Sequence, residues 1–211
     1  MNITIFGGTG PAGLLVIRKA LDSGHTVTVY ARNSAKIKVQ HGDIHVIEGE
    51  LSERNKITEA VKGADAVISL LGPKNNANSP VISNGTKNII SAMQQNKVRR
   101  LIAAVSSSYR DPKDKFQFGF DFSVLMLKVI GKNILSEIVE TGQQIVNSQL
   151  DWTMVRLPVL SDSPVNGNLN IGYTGDGKVS FFSLNRKDLA DFMVRQLQDQ
   201  TYLRKAPVVS N

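Results

Sequence analysis

Seven residues near the start of the chain, Gly7-Gly8-Thr9-Gly10-Pro11-Ala12-Gly13, follow directly on the apolar run Ile3-Thr4-Ile5-Phe6. A strand that turns sharply into a helix in this way leaves backbone N–H groups unpaired. It also aims the positive end of a helix dipole at whatever sits on the turn, and the two together bind phosphate oxygens. Glycine serves such a turn twice, by reaching backbone angles that other residues avoid and by letting phosphate approach the main chain. The run lacks the Gly-Lys-Ser/Thr ending of a nucleoside-triphosphate loop. The pyrophosphate of a dinucleotide is therefore the expected ligand, with Gly7, Thr9 and Gly10 in the cradle.

The second apolar run, 26–31, should end beside the adenosine ribose, where an acidic residue about 20 positions after the glycines would select NAD(H). No Asp or Glu occurs between Asp22 and Asp43, and the run leads instead into Tyr30-Ala31-Arg32-Asn33-Ser34-Ala35-Lys36. Arg32 follows Gly13 by 19 residues. Its guanidinium can fork onto a 2′-phosphate, with Asn33, Ser34 and Lys36 as further donors. This favours NADP(H) over NAD(H).

Other chemistries lack their residues. With no cysteine, disulfides, thiolate nucleophiles and cysteine-ligated metal centres are excluded. The three histidines, His25, His41 and His45, lie far in sequence from the segments that should face a substrate, so neither a histidine metal site nor a Ser-His-Asp triad is expected. The formal charge of +7 is spread in small groups without an aromatic-interleaved stripe, so nucleic acid is not an expected partner. No apolar run approaches the roughly 20 residues that span a bilayer, and the chain starts on a strand, from which a cytoplasmic protein is expected.

Strand-length apolar runs at 2–6, 26–31, 44–48, 66–71, 100–105 and 152–157 alternate with helical patterns. That alternation predicts an α/β protein, a Rossmann-type doubly wound parallel sheet with helices on both faces. Predicted helices run from Pro11 to Ser23 with Gly24 as the stop, from a Ser52 cap to about Lys62 with Gly63 ending it, and onward from Ser79-Pro80. A long stretch from Phe120 to Ser148 is broken at Gly131 or Gly142, and a last helix starts near Asn185 or Arg186. Between them lie a Gly/Asn-rich segment at 166–177 and an apolar run at 179–182, and Pro207-Val208-Val209 closes the chain. With 211 residues, one domain is expected, its core at about 1–158 and a small irregular substrate-side lobe at about 159–211.

Several of these segments, taken in order, resemble the atypical short-chain dehydrogenase/reductases, and within them the NAD(P)H-binding, NmrA-like group that includes flavin reductase or biliverdin reductase B-like enzymes. The likeness rests on the glycine turn, Tyr30-Ala31-Arg32-Asn33, Gly49-Glu50-Leu51, Asp65-Ala66-Val67-Ile68, Val105-Ser106-Ser107-Ser108, Leu150-Asp151-Trp152-Thr153-Met154-Val155-Arg156-Leu157-Pro158 and Asn185-Arg186-Lys187-Asp188-Leu189-Ala190. It implies that Thr9, Gly10, Pro11 and Ala12 face the pyrophosphate and that Arg32 meets the 2′-phosphate. Glu50 and Leu51 would stand by the adenine, where Gly-Asp-Leu is usual, so Glu50 departs from the pattern. Leu70, Leu71 and Gly72 would follow the adenosine and ribose, Ser106 and Ser107 would approach the nicotinamide, and Pro158 with Val159 would flank its carboxamide.

Typical members of the superfamily use a tyrosine and a lysine four residues later on one helix, the ammonium lowering the phenol pKa for general-acid work. Tyr109 and Lys113 have that spacing, but Pro112 lies between them and argues against a helix. Ser106, Ser107 and Tyr109 are the catalytic candidates, and no metal is expected. The resemblance then implies a reductase that passes hydride from NADPH to a flavin-like or quinone-like acceptor, with Phe116, Phe118, Phe120 and Phe122 as a possible aromatic wall. Two other readings stay open: a non-catalytic NADP(H)-sensing regulator of the NmrA-like type, and an epimerase-like or dehydratase-like enzyme on sugar nucleotides. A monomer or a homodimer is expected, with no membrane partner.

Overall fold

In a computed structural model, residues 1–73, 80–163, 167–179 and 183–211 are described. Strands and helices alternate as β1 (Asn2–Phe6), α1 (Pro11–Asp22), β2 (Thr26–Ala31), β3 (Ile44–Glu48), α2 (Arg54–Val61), β4 (Ala66–Ser69), α3 (Val81–Gln95) and β5 (Arg100–Ser106). Then follow α4 (Phe118–Ile130), α5 (Lys132–Asn147), β6 (Asp151–Leu157), β7 (Leu160–Ser161), β8 (Asn170–Gly172), β9 (Leu184–Asn185), α6 (Arg186–Arg195) and β10 (Val208–Ser210).

The main sheet has the order β3-β2-β1-β4-β5-β6-β10-β8, all parallel except for β8, which runs antiparallel to β10. A separate parallel pair joins β7 to β9. Strand order therefore reverses between β1 and β4, and the crevice beyond the strand ends at that reversal is where such sheets bind ligands.

The period-two alternation of β1 explains the two layers. Ile3 and Ile5 enter a core with Val16, Ile17 and Ala20 of α1 and with Leu189 and Met193 of α6. Phe6 faces the other way, into a core with Ile57 of α2, Ile89 and Met93 of α3, and Ile138 and Ile145 of α5. Each such side chain contributes about 2 kcal/mol by leaving water. Thr4, on the same face as Phe6, is kept dry by donating from Oγ1 to the Ala60 carbonyl at 2.6 Å.

Several boundaries differ from expectation. The fourth strand ends at Ser69 because Leu70 and Leu71 leave the ladder to line the crevice, although the Leu70 amide still donates to the Phe6 carbonyl at 2.9 Å. The first cap of α2 is Glu53 and not Ser52, and the Glu53 carboxylate turns back to accept from the Glu50 amide at 2.6 Å. Pro80 stands at the N-cap of α3, and Ser79 lies outside the described residues. The break in the long helix falls at Gly131, and Gly142 continues inside α5.

Among the described residues ten strands form where six were expected. The additional ones, β7 to β10, have only two or three residues each, too few for a sequence pattern, and they exist through their pairing partners. Asn166 and residues 180–182 of the expected irregular lobe lie outside the described residues. Asn185 does cap α6, its side chain accepting from the Lys187 amide at 2.7 Å.

Candidate functional site

The turn after β1 stands at the reversal of strand order and opens onto a cleft of about 380 Å³. Gly7, Thr9 and Gly10 form its floor. Gly7 has φ +82°, and a Cβ there would lie 2.8 Å from the carbonyl carbon and oxygen of Leu70, so no other residue fits. A Cβ on Gly13 would come within 2.3 Å of the Gly7 oxygen, which lets α1 begin directly under the turn.

Gly10 is different. Its φ is −79°, and a Cβ on it would meet nothing in the protein closer than 3.7 Å. Its bare Cα is unnecessary for packing and leaves room on the cleft side for a ligand. Gly10 is also the N-cap of α1 and offers no capping side chain, and the first turn carries no acid, so the free amides there have no competitor for an anion. These features fit a pyrophosphate. Pro11 takes the first helical position and Ala12 packs on the core, and neither lines the cleft.

At the β2 end, Tyr30, Ala31 and Arg32 line the same cleft. Arg32 is exposed and makes no ion pair or side-chain hydrogen bond among the described residues. Asn33 is engaged otherwise, its side chain accepting from the Ala35 amide at 3.0 Å to cap a short 3-10 turn. An acid that no linear spacing showed arrives from β3. Glu48 is the register partner of Ala31, and its carboxylate accepts from the Ser34 amide at 2.9 Å. That hydrogen bonding with Ser34 holds the Glu48 carboxyl below its usual value.

Glu50 and Leu51 line the cleft at the β3–α2 connection. The Tyr30 hydroxyl donates to the Glu50 carbonyl at 2.7 Å and fixes that connection over β2. Burial first, and then the charges of Glu53 and Glu50, push the Tyr30 phenol up to about 12, so it serves as a neutral donor. Leu70, Leu71, Gly72 and Pro73 form the opposite wall, continued by Val81 and Ile82 of α3 and by Asn133 and Glu137 of α5.

The residues expected at the nicotinamide do not share this cleft. Ser107 and Pro158 line a separate pocket of about 10 Å³ with Gln117, Phe120 and Thr174, room for one water-sized group. Ser106 Oγ accepts from the Ser108 amide at 3.2 Å. Tyr109 lies in a turn, and burial followed by the Asp111 charge raises its phenol above the usual value. Lys113 does not pair with it. The Lys113 ammonium sits over the Tyr173 ring, 5.2 Å from its centroid, because 111–114 is a turn and the helical spacing never forms. The expected aromatic wall also divides: Phe118 and Phe122 stack in the open at 6.3 Å, Phe116 is exposed, and Phe120 is buried under Arg110.

Glu137 and Asp114 carried no signal in the sequence, and Arg156 only its place in the Leu150–Pro158 segment. Glu137, 7% exposed, accepts through Oε2 from the Ile82 amide at 2.9 Å and the Ser83 amide at 3.3 Å, closing the N-terminus of α3. Asp114 and Arg156 form a buried pair behind the loop that carries Tyr109, and Arg156 also donates to the Tyr109 carbonyl at 3.0 Å. Among the described residues no group of three His, Asp or Glu could hold a metal ion. No helix of the described residues is long and apolar enough to cross a membrane.

A Rossmann-type sheet with a glycine turn at the switch of strand order defines a dinucleotide-binding protein. A family model described as NAD(P)H-binding matches residues 7–200. The chain belongs to that family, in the NmrA-like, atypical short-chain dehydrogenase/reductase group that its motif order resembles. It is 25% identical over 224 residues to the photosystem II assembly factor Ycf39 of Synechocystis, a match covering all of this chain and 63% of that protein. It is 24% identical over 224 residues to an isoflavone reductase homologue of Nicotiana glauca, covering 97% of this chain and 66% of the relative. The chain thus spans just under two thirds of the length of these relatives.

Among solved structures, a short-chain dehydrogenase/reductase of Veillonella parvula in complex with NADP superposes with a TM-score of 0.79 at 18% identity, covering 100% of this chain and 94% of that one. An anaerobilin reductase of Escherichia coli O157:H7 gives 0.79 at 16% identity, covering 100% and 97%. At such identities the likeness is one of fold.

Proposed function

We propose that this chain is an NADPH-dependent reductase whose acceptor is a flat conjugated molecule of the flavin or quinone type. The observation that carries the cofactor half is Arg32, an exposed guanidinium without an ion pair among the described residues, at the β2 end of a cleft whose floor is the glycine turn. A 2′-phosphate would give Arg32 an ion-pair partner, and the bare Gly10 would leave room for the pyrophosphate.

The acceptor half rests on what the site does not offer. Tyr109 is a phenol with a raised pKa and no ammonium beside it, and α5, which faces the cleft, brings Asn133 and Glu137 to it and no tyrosine. Substrates that need a protein acid at the carbonyl, and the sugar-nucleotide reactions of epimerases, are disfavoured on that ground. Bound NADPH supplies a hydride, and conjugated acceptors take the accompanying proton from water. The task left to the chain is to hold and orient. The turn and Arg32 would hold the phosphates, Leu51 and Leu70 would wall the adenine side, and Tyr30 braces the Glu50 connection.

Reductase names among the relatives support this reading, and so does the anaerobilin reductase of the same fold. A second reading follows from the assembly factor matched over the whole chain. In it the chain binds NADPH and reports occupancy to a partner without turnover. Purified protein mixed with NADPH or NADH and FMN, FAD or a soluble quinone decides between the two. Acceptor-dependent loss of NADPH absorbance is expected. Tight NADPH binding with every acceptor inert would overturn the reductase and leave the sensor.

A further inference from the structure

The cleft has a carboxylate at the end opposite Arg32. Arg32 follows β2, on one side of β1, while Glu137 stands on α5, which packs against α3, β5 and β6 on the other side. The glycine turn lies between them. Glu137 uses Oε2 to hold the first amides of α3, and its second oxygen, Oε1, is buried with no hydrogen-bond partner among the described residues. Capping α3 accounts for one oxygen only. A buried carboxylate oxygen without a donor is costly, so its retention in the wall of an open cleft calls for a donor that arrives with a ligand.

The donor's chemistry follows from the charge. A carboxylate accepts from hydroxyl or N–H groups and repels phosphate, so the α5 end of the cleft, where Glu137 stands, suits a hydroxyl-bearing group, and Arg32 is the cleft's cation for a phosphate. A dinucleotide whose pyrophosphate rests on the central turn must place one nucleoside on each side of the switch point. With the phosphate-bearing adenosine at Arg32, the half at Glu137 is the nicotinamide nucleoside, whose ribose presents two adjacent hydroxyls and no phosphate ester.

We infer that Glu137 is a binding residue for the ribose hydroxyls of the nicotinamide half, taking a hydroxyl hydrogen on Oε1 while Oε2 keeps the α3 amides. This rests on the NADPH reading above. In consequence α3, whose N-terminus follows the β4 connection, and the cofactor share one carboxylate. Glu137 therefore ties the cleft wall at α3 to that half of the ligand.

The test compares the whole dinucleotide with its phosphate-bearing half. Binding of NADPH and of 2′,5′-ADP, which lacks the nicotinamide nucleoside, is measured by calorimetry for the wild type, Glu137→Gln and Glu137→Leu, with melting temperatures alongside. Gln keeps an oxygen for the α3 amides and removes the charge, and is expected to weaken NADPH about fivefold. Leu removes both acceptors and is expected to weaken it about tenfold or more. Both are expected to leave 2′,5′-ADP within about twofold of wild type, on the same reasoning. If Leu fails to fold, Gln alone decides. Equal losses for NADPH and 2′,5′-ADP, or no loss for either, would overturn the assignment and leave Glu137 a cap for α3. A wild type that binds neither ligand would instead bring down the NADPH reading itself.

Discussion

Arg156 holds Asp114 through two parallel hydrogen bonds, Nη1 to Oδ2 at 2.6 Å and Nη2 to Oδ1 at 2.8 Å, with both side chains essentially out of solvent. The pair closes a wider network. Asp114 also accepts from the Asp111 amide at 2.8 Å and the Thr174 amide at 3.0 Å, and Arg156 donates to the Ala206 carbonyl at 2.6 Å. The turn at 109–114 is thereby fastened to β6, to the segment after β8 and to the approach to β10. Asp114→Asn leaves the Arg156 guanidinium buried without its counter-charge, which costs about 3–5 kcal/mol. Urea unfolding should show that loss. A cost under about 1 kcal/mol would mean the network does not hold the loop, by the same scale.

The same pair gives an acid dependence. Burial alone would push the Asp114 carboxyl up, but the hydrogen bonds from Arg156 and the Asp111 amide, with the Arg156 charge and the Thr174 amide, outweigh it and hold it below the usual value. A carboxyl whose native pKa is depressed stabilises fully above its unfolded value of about 3.9 and loses that contribution as pH falls through the native one. Stability should therefore drop below about pH 4, and Asp114→Asn should make the slope shallower there. Some slope remains, since hydrogen bonding with Arg99 also holds Asp151 low. An unchanged slope in the variant would show that Asp114 is not the group titrating.

The parts of the site that sequence reveals are those made within a few residues. The glycine turn and Arg32 belong to single connections after β1 and β2, and their spacing is set by local backbone geometry. Glu137 was invisible because its partners are the amides of Ile82 and Ser83, 55 and 54 positions away, and helical periodicity does not say which face of α5 meets α3. Asp114 and Arg156 are 42 apart and join a turn to a strand interior. Tyr109 and Lys113 show the converse, a spacing with chemical meaning only on a helix, set in a segment that Pro112 keeps from being one. The short strands β7 to β10 fall in the same class as Glu137, since pairing and not composition makes them.

Two glycines of the turn should respond differently to one methyl group. In Gly13→Ala the added carbon would stand 2.3 Å from the Gly7 oxygen and 2.7 Å from the Gly8 Cα, backbone atoms that cannot step aside. The turn must distort, at a cost of about 1–3 kcal/mol. In Gly10→Ala the carbon meets nothing nearer than 3.7 Å, at a φ of −79° that alanine adopts. Its melting temperature should stay near wild type while NADPH affinity falls at least about tenfold, because the methyl occupies phosphate space. Unchanged affinity in Gly10→Ala would place the phosphates elsewhere.

Arg32 offers the sharpest test of which dinucleotide the cleft takes. The side chain is exposed and makes no ion pair among the described residues, so removing it should leave stability within about 0.5 kcal/mol, as for surface changes generally. Binding is another matter, since a forked guanidinium on a phosphate is a charge-assisted contact worth about 1.5–3 kcal/mol. Arg32→Ala should weaken NADPH by about tenfold or more and leave NADH nearly unchanged, narrowing the preference from one side. Arg32→Glu should go further, because a carboxylate repels the 2′-phosphate and can accept from the free 2′-hydroxyl of NADH, so the preference inverts. Glu48 lies close by and already accepts from the Ser34 amide. If NADPH and NADH bind the wild type equally, and Arg32→Glu weakens neither, then Arg32 does not select the dinucleotide.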